Sequence, residues 1–185
     1  MPNNANIMSD AATDIQLTDF IRDIPDFPKP GIIFKDITPL LASPQGFKMA
    51  IDQMVDLYRD KEIDVIIAAE ARGFIFATPL AMALNVGFAP VRKPGKLPYE
   101  RHSQSYELEY GTDTLEMHID GVKKGQRVLI VDDLLATGGT VSACCKMVEQ
   151  CEAEIVGCAF LIELKFLAGA KRLEPYPIQS LIKYD

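Results

Sequence analysis

The sequence has little of the positive charge that nucleic-acid-binding proteins carry. Its 185 residues include 19 lysines and arginines against 26 aspartates and glutamates, which gives a formal charge of −7. Because nucleic acid is held largely by positive charge, this balance argues against such a partner. With 48% apolar and 24% charged residues, the composition also differs from that of disordered, collagen-like or fibrous chains. Any anionic ligand must therefore be bound by a local group of cations.

Cysteine is scarce, and no two cysteines form a CxxC pair. The four are Cys144, Cys145, Cys151 and Cys158. This spacing is poor for zinc. The first two recur with Val141 and Val148 at helical spacing, which predicts core packing rather than a redox or metal role. Residues 1–10 also lack the basic start and apolar core of a signal peptide, so we expect free thiols in a reducing cytoplasm.

Long apolar runs are missing too. The longest, residues 74–91, is broken by proline, asparagine and glycine. This pattern predicts a helix followed by a strand rather than a membrane span, and we expect no membrane partner.

What the chain does contain is an alternation of helical patterns with short apolar strands. Strands are predicted at residues 65–69, 128–131 and 155–162. They show no polar alternation, which indicates burial on both faces, as in a parallel sheet. We expect an α/β fold with an open, mainly parallel central sheet flanked by helices, and ligands at the carboxyl ends of its strands. A disordered leader is predicted over residues 1–12 and a single domain over residues 13–185.

Two helices are predicted before the first of these strands. Leu17, Phe20, Ile21 and Ile24 recur on one helical face. Prolines from Pro25 onward would end that helix. Ser43 and Pro44 have the pattern of a cap followed by the first residue of a second helix.

The most informative segment joins a buried strand to a helix through two carboxylates and a run of small residues. Asp132 and Asp133 follow the strand at residues 128–131, and the segment continues through Ala136, Thr137, Gly138, Gly139 and Thr140. Glycines and a helix start let successive N–H groups point at one anion, and threonines add hydroxyl donors, so the segment predicts a monophosphate cradle. The carboxylates suit the hydroxyl groups of a sugar. No lysine follows the glycines and no GxGxxG motif occurs, which disfavours a nucleoside triphosphate or dinucleotide.

This segment resembles the phosphoribosyl pyrophosphate signature of the type I phosphoribosyltransferases. Motifs at residues 27–41, 70–74, 92–98 and 106–111 resemble those of the adenine-specific members of that family. The resemblance implies a small N-terminal hood, a flexible lid hairpin and a homodimer. It also implies transfer of the phosphoribosyl group from phosphoribosyl pyrophosphate to adenine, giving AMP and pyrophosphate in purine salvage. Mg²⁺ is the implied cofactor, held mainly through substrate oxygens with no direct protein ligand assigned.

The leaving pyrophosphate needs cations where its charge develops. Residues 92–102 carry four cations against one acid, namely Arg92, Lys93, Lys96 and Arg101 against Glu100. Arg72 follows the strand at residues 65–69 and could hold pyrophosphate, or simply pair with Glu70 or another surface acid. The resemblance implies a cis peptide between Glu70 and Ala71. We call phosphoribosyl pyrophosphate the donor. The residues expected to bind it are Arg72, Arg92, Lys93, Lys96, Asp132, Asp133, Ala136, Thr137, Gly138, Gly139 and Thr140.

Residues 94–111 are polar and rich in turn residues, which predicts a lid. A lid would exclude water from an oxocarbenium-like centre. The resemblance places Glu109 and Tyr110 over the reacting carbon, with Glu109 assisting proton movement and Tyr110 orienting the reactants. By its spacing alone, Glu109 would instead be an exposed residue of an alternating hairpin. Arg101 and His102 are assigned no role.

Adenine recognition is also implied by the resemblance. The main chain of Ile33 and Lys35 would contact the edge of the base, Phe34 would stack on its face, and Leu164 would close the pocket. Phe34 could instead be an ordinary core residue.

Two classes of function remain open at this point. The first is the transferase, with another purine as the alternative substrate. The second is a non-catalytic regulator that senses phosphoribosyl pyrophosphate and controls transcription. A regulator would need a basic surface or an added domain, and we expect neither here.

Overall fold

The computed structural model describes residues 15–107 and 111–185 of the chain. The predicted leader at residues 1–12 and the predicted catalytic residues Glu109 and Tyr110 therefore lie outside the described residues. By its internal contacts the chain divides into two units, residues 1–47 and residues 48–185.

The first unit contains a 3-10 turn and a small antiparallel sheet. The turn is Leu17–Phe20, strand β1 is Arg22–Pro25, strand β2 is Ile33–Asp36 and helix α1 is Thr38–Ala42. The predicted helix through Ile24 is wrong, because Ile24 lies in β1 and pairs with Phe34 of β2. Arg22 at the start of β1 forms an ion pair of 2.6 Å with the buried Asp36 of β2. Cross-strand pairing therefore prevails here over helical spacing.

Helix α2, Pro44–Tyr58, contains the boundary between the units. Its start confirms the interpretation of Ser43 and Pro44, since the Ser43 hydroxyl accepts a hydrogen bond of 3.1 Å from the main chain of Gly46. Such a cap satisfies a donor that the first turn of a helix leaves unpaired.

The second unit is built on a five-stranded parallel sheet, which confirms the predicted fold class. Its strands are β3 (Val65–Ala69), β4 (Gly87–Val91), β7 (Arg127–Leu135), β8 (Glu154–Leu164) and β9 (Ile178–Tyr184). Their order is β4-β3-β7-β8-β9, and every neighbouring pair is parallel. The helices of this unit are α3 (Gly73–Leu84), α4 (Gly139–Gln150) and the short α5 (Gly169–Arg172). An antiparallel hairpin of β5 (Arg101–Glu107) and β6 (Thr112–His118) completes it.

Burial explains why these segments form a parallel sheet. All five residues of β3 are buried, as the lack of polar alternation predicts for a strand covered on both faces. Cys144 and Cys145 lie buried in the same apolar core, as their helical spacing predicts. The apolar run at residues 74–91 forms most of α3 followed by β4, and none of the described helices is long and apolar enough to cross a membrane.

Candidate active site

Four loops of the second unit follow strands whose carboxyl ends lie at one edge of the sheet. They follow β3, β4, β7 and β8. Ligands of open α/β sheets bind at this edge. The predicted donor-binding residues outside β7 lie in the loops after β3, β4 and β7 or, for Gly139 and Thr140, in the first turn of α4.

The turn after β3 brings Arg72 to the start of α3. The peptide between Glu70 and Ala71 is cis, as the resemblance implies. A Cβ atom at Gly73 would lie only 2.9 Å from Oδ1 of Asp132, so a glycine is needed where α3 begins against β7. The close packing of α3 against β7 thus places the Arg72 turn directly beside the acidic pair.

The two aspartates lie inside β7 rather than after it. The strand extends to Leu135, four residues beyond its predicted end at residue 131. Because neighbouring strand residues point to opposite faces, Asp132 and Asp133 project in different directions. Parallel pairing with β8 continues through these positions, with Leu134 opposite Ile162, and this pairing holds the polar residues in the sheet.

Asp133 pairs with Arg72, and this contact joins the turn after β3 to β7. Arg72 Nε donates to Asp133 Oδ2 over 2.5 Å, and Asp133 is 5% exposed. Burial alone would lower the pKa of Arg72, but the hydrogen bond and charge of Asp133 outweigh it and raise that pKa. The Arg72 side chain nevertheless remains 56% exposed, so it stays accessible to an anion.

Asp132 has a different electrostatic environment. Burial and the neighbouring charge of Asp133 raise the pKa of Asp132 well above its usual range. Its Oδ1 accepts a hydrogen bond of 2.9 Å from the main chain of Asp133. A cavity of about 210 Å³ is lined by this pair together with Thr140 and the turn after β3, residues 69–72. Residues predicted to bind the sugar and a residue predicted to bind pyrophosphate, Arg72, therefore line one cavity.

The segment after β7, residues 136–140, forms a tight turn into α4, and we call it the phosphate loop. Gly138 has a φ of 78°, in the left-handed region that favours glycine, and α4 begins at Gly139. A separate cavity of about 70 Å³ is lined by the loop and the end of β7. This is several times the room that one water needs. The unpaired N–H groups of the first turn of α4 suit a small anion there.

The cations after β4 have carboxylate partners that the local sequence does not reveal. Arg92 Nε donates to Glu70 Oε2 over 2.6 Å, Lys93 pairs with Asp113, and Arg101 Nε lies 2.9 Å from Glu116 Oε1. Lys96 is exposed and has no ion pair within 4.0 Å among residues 15–107 and 111–185. The excess of positive charge predicted for residues 92–102 is therefore largely neutralised, because Glu70, Asp113 and Glu116 come from other elements.

These ion pairs lower the pKa values of the carboxyl groups, as a neighbouring cation is expected to do. Burial would raise the pKa of Glu70, but the hydrogen bond from Arg92 outweighs it and lowers that pKa. The hydrogen bond from Lys93 likewise lowers the pKa of Asp113. Both carboxylates therefore stay ionised at neutral pH and hold their cations in place.

The hairpin carries a tyrosine that sequence reasoning did not assign to the site. Tyr106 donates a hydrogen bond of 3.1 Å to Asp113 and accepts one of 3.5 Å from the hydroxyl of Thr140. The bond to Thr140 joins the hairpin to the first turn of α4, and the ion pair of Asp113 with Lys93 joins it to the loop after β4. Its place in an alternating polar segment gave no signal that Tyr106 would contact the phosphate loop. Glu109 and Tyr110, which follow β5 in sequence, are not among the described residues.

The predicted adenine-binding residues fall in both units. Ile33, Phe34 and Lys35 lie in β2 of the first unit, and Leu164 is the last residue of β8 in the second. Phe34 is half-buried and packs edge-on against Phe27, with ring centroids 5.2 Å apart. The two-stranded sheet of the first unit leaves one edge of β2 unpaired by β1.

In the described part of the chain, no three His, Cys, Asp or Glu side chains gather to hold a metal ion. The acidic pair is the only carboxylate contribution of β7, and Asp133 is already bonded to Arg72. This small set of possible metal ligands fits a cation that is bound mainly by the oxygens of a substrate.

A family model described as the phosphoribosyl transferase domain matches residues 36–182. The parallel sheet, the phosphate loop and this match define the chain as a phosphoribosyltransferase, an enzyme of the pentosyltransferase class. An adenine phosphoribosyltransferase from Rhodopirellula baltica is 61% identical over 170 residues, which are 92% of this chain and 82% of that protein.

Two solved structures extend the comparison. The adenine phosphoribosyltransferase of Thermoanaerobacter pseudethanolicus is 55% identical with a TM-score of 0.88, over 91% of this chain and 98% of that one. That of Saccharomyces cerevisiae, in complex with an imino-altritol bisphosphate and adenine, is 41% identical with a TM-score of 0.84, over 89% of this chain and 96% of that one. The chain therefore belongs to the adenine phosphoribosyltransferase family.

Proposed function

We propose that this chain transfers the phosphoribosyl group from phosphoribosyl pyrophosphate to adenine, giving AMP and pyrophosphate in purine salvage. The observation that carries the proposal is the shared cavity of about 210 Å³, whose lining includes Arg72, the acidic pair and Thr140. Such a cavity offers a cation for pyrophosphate and carboxyl oxygens as acceptors for a ribose diol, next to a cradle for a monophosphate. Membership of the adenine phosphoribosyltransferase family supports adenine as the acceptor.

The donor would be bound by three groups of residues. The phosphate loop, Ala136 to Thr140, would hold the 5′-phosphate with its main-chain N–H groups and hydroxyls. Asp132 and Asp133 would accept hydrogen bonds from the ribose hydroxyls. Pyrophosphate would be held by cations from the loops after β3 and β4, namely Arg72, Arg92, Lys93 and Lys96.

Binding of pyrophosphate would exchange partners at several of these cations. Arg72, Arg92 and Lys93 are each bonded to a carboxylate. Phosphate oxygens would take over part of those hydrogen bonds as the donor binds. The guanidinium groups are then already ordered in the free protein, which lowers the entropy lost when the donor binds.

The chemical step needs protection from water and a route for a proton. A lid over residues 94–111 would shield the oxocarbenium-like centre from hydrolysis. Glu109 would assist proton movement at the imidazole nitrogens of the purine, and Tyr110 would orient the reactants. The bond between Tyr106 and Thr140, and the ion pair of Asp113 with Lys93, support a lid that contacts the donor site near the turn of the hairpin.

Adenine would be recognised through main chain and stacking. Alternate residues of a strand direct their main-chain groups to the same edge, so Ile33 and Lys35 could both reach one edge of a base. Phe34 would stack on the face of adenine, and Leu164 at the end of β8 is a further proposed adenine-binding residue. The half-buried ring of Phe34 leaves surface for that contact.

Mg²⁺ is the proposed cofactor. When bound, it would neutralise charge on the leaving pyrophosphate. We assign it no direct protein ligand, because the described carboxylates form no three-ligand cluster. We further propose a cytoplasmic homodimer whose residues 13–185 form one functional domain behind a leader at residues 1–12.

A competition among purines tests the proposal. Purified protein with Mg²⁺ and phosphoribosyl pyrophosphate should consume adenine and release AMP and pyrophosphate in equal amounts. Hypoxanthine and guanine should react far more slowly. Faster turnover with either would overturn the assignment of adenine as the substrate. Binding of phosphoribosyl pyrophosphate without turnover of any purine would support a sensing protein and overturn the assignment of transferase activity.

A further inference from the structure

The phosphate loop is in direct contact with a second stretch of main chain, at the start of α5. A Cβ atom built on Gly169 would overlap the carbonyl oxygen of Ala136 and lie 3.0 Å from the nitrogen of Gly138. Reciprocally, a Cβ atom on Gly138 would lie 2.7 Å from the carbonyl oxygen of Gly169. Two glycines therefore allow two backbones to approach more closely than any side chain would permit.

The backbone conformation of Gly169 does not itself require glycine. The φ of Gly169 lies outside the left-handed region, whereas the preceding residue, Ala168, has a left-handed φ of 53°. Gly169 is buried and begins a helix, where alanine is ordinarily the more stable residue. What a methyl group meets at this position is the phosphate loop.

We propose that Gly169 is a positioning residue for the phosphate loop, an inference that rests on the proposed function of that loop. The contact with Ala136 and Gly138 keeps the peptide planes of the loop in the orientation that directs their N–H groups at a monophosphate. A loop held in this way loses less conformational freedom when the ligand binds. A side chain at position 169 would push the loop out of that orientation.

The role of Gly169 is specific to one half of the donor. The phosphate loop would hold the 5′-phosphate, whereas the pyrophosphate would lie at Arg72 and the cations after β4. Displacement of the loop should therefore weaken binding of ribose 5-phosphate and leave binding of inorganic pyrophosphate unchanged. A general loss of folding would weaken both.

The test is calorimetric binding of ribose 5-phosphate and of pyrophosphate to Gly169→Ala. We expect the affinity for ribose 5-phosphate to fall by about tenfold or more, equivalent to about 1.4 kcal/mol, with pyrophosphate affinity unchanged. Gly87→Ala is the matched control. A Cβ atom on Gly87 would have its nearest neighbour at 3.7 Å, and Gly87 begins β4, the edge strand on the far side of the sheet from β9. Equal affinities of Gly169→Ala and Gly87→Ala for ribose 5-phosphate would overturn the inference.

A second measurement covers the case in which Gly169→Ala fails to fold. In the unaltered protein, ribose 5-phosphate should slow amide hydrogen exchange at residues 168–172 as well as in the phosphate loop, and pyrophosphate should not. Unchanged exchange at residues 168–172 would contradict a coupled loop and segment. Failure of the unaltered protein to bind ribose 5-phosphate or to form AMP would instead overturn the proposed function.

Discussion

The phosphate loop and the cationic segment at residues 92–101 serve the same proposed donor but are built in opposite ways. The loop would bind through main-chain N–H groups, and its shape depends on glycines and on the start of α4. The cationic segment offers side chains, and Arg92, Lys93 and Arg101 are bonded to carboxylates from three other elements. The turn of the backbone site is thus predicted by local sequence, whereas the charge of the side-chain site is decided by partners far away along the chain.

The largest effect is expected where the loop depends on backbone shape. Gly138→Ala places a side chain at a φ of 78° and directs it at the carbonyl oxygen of Gly169. We expect donor affinity to fall about a hundredfold, or about 2.7 kcal/mol, in isothermal titration.

Gly125→Ala is the matched control for this prediction. Gly125 has a nearly identical φ of 76°, and nothing lies within 4 Å of its added Cβ. It should lose stability from the strained backbone but keep its donor affinity. If both variants lost donor affinity equally, backbone strain rather than the shape of the loop would be responsible.

An intermediate effect is expected at Asp133, which accepts a hydrogen bond from Arg72 and lies in β7 just before the phosphate loop. Asp133→Asn keeps the shape of the side chain but removes its charge, so we expect donor affinity to fall about tenfold, since hydrogen bonds to charged groups contribute about 1.5–3 kcal/mol. Pyrophosphate alone should bind about as well, because Arg72 loses a competing carboxylate together with the bond that orders it. Weaker binding of pyrophosphate would show that Asp133 serves mainly to position Arg72.

A smaller effect of opposite sign is expected in the cationic segment. Asp113→Asn releases Lys93 from its carboxylate, so pyrophosphate should bind about two- to fivefold more tightly, in line with the modest energy of accessible ion pairs. Asp56→Asn removes a carboxylate of α2 that pairs with Arg59, and this control should bind pyrophosphate with unchanged affinity. No gain in affinity would mean that Lys93 does not meet pyrophosphate.

The smallest effect concerns acid stability. The pKa of Asp113 is lowered by Lys93, so its ion pair stabilises the fold above the unfolded pKa of about 3.9 and is lost as the pH falls through the folded pKa. Asp113→Asn should therefore have a slightly lower Tm than the parent at pH 6, and the difference should shrink toward pH 3. A difference that does not depend on pH would point to lost packing rather than lost charge.

Sequence reasoning succeeded where the signal was local. The apolar run of β3, the start of α2 at Pro44 and the glycine turn before α4 each follow from neighbouring residues, and the structure has all three. It failed at Ile24, where helical spacing was overruled by pairing with Phe34 of β2. It also ended β7 too early, because pairing with β8 carries the strand through two aspartates that look like a turn.

The sequence by itself determined the fold class, the phosphate loop and the acidic pair, because each depends on hydrophobic pattern or backbone freedom within a few residues. Only the tertiary structure decided which carboxylates neutralise Arg92, Lys93 and Arg101, and that Gly169 lies against the loop. The two residues in each of these contacts are separated in the sequence by between 15 and more than 30 positions. They arise when strands and helices are packed together, and no local pattern records which distant groups will then meet.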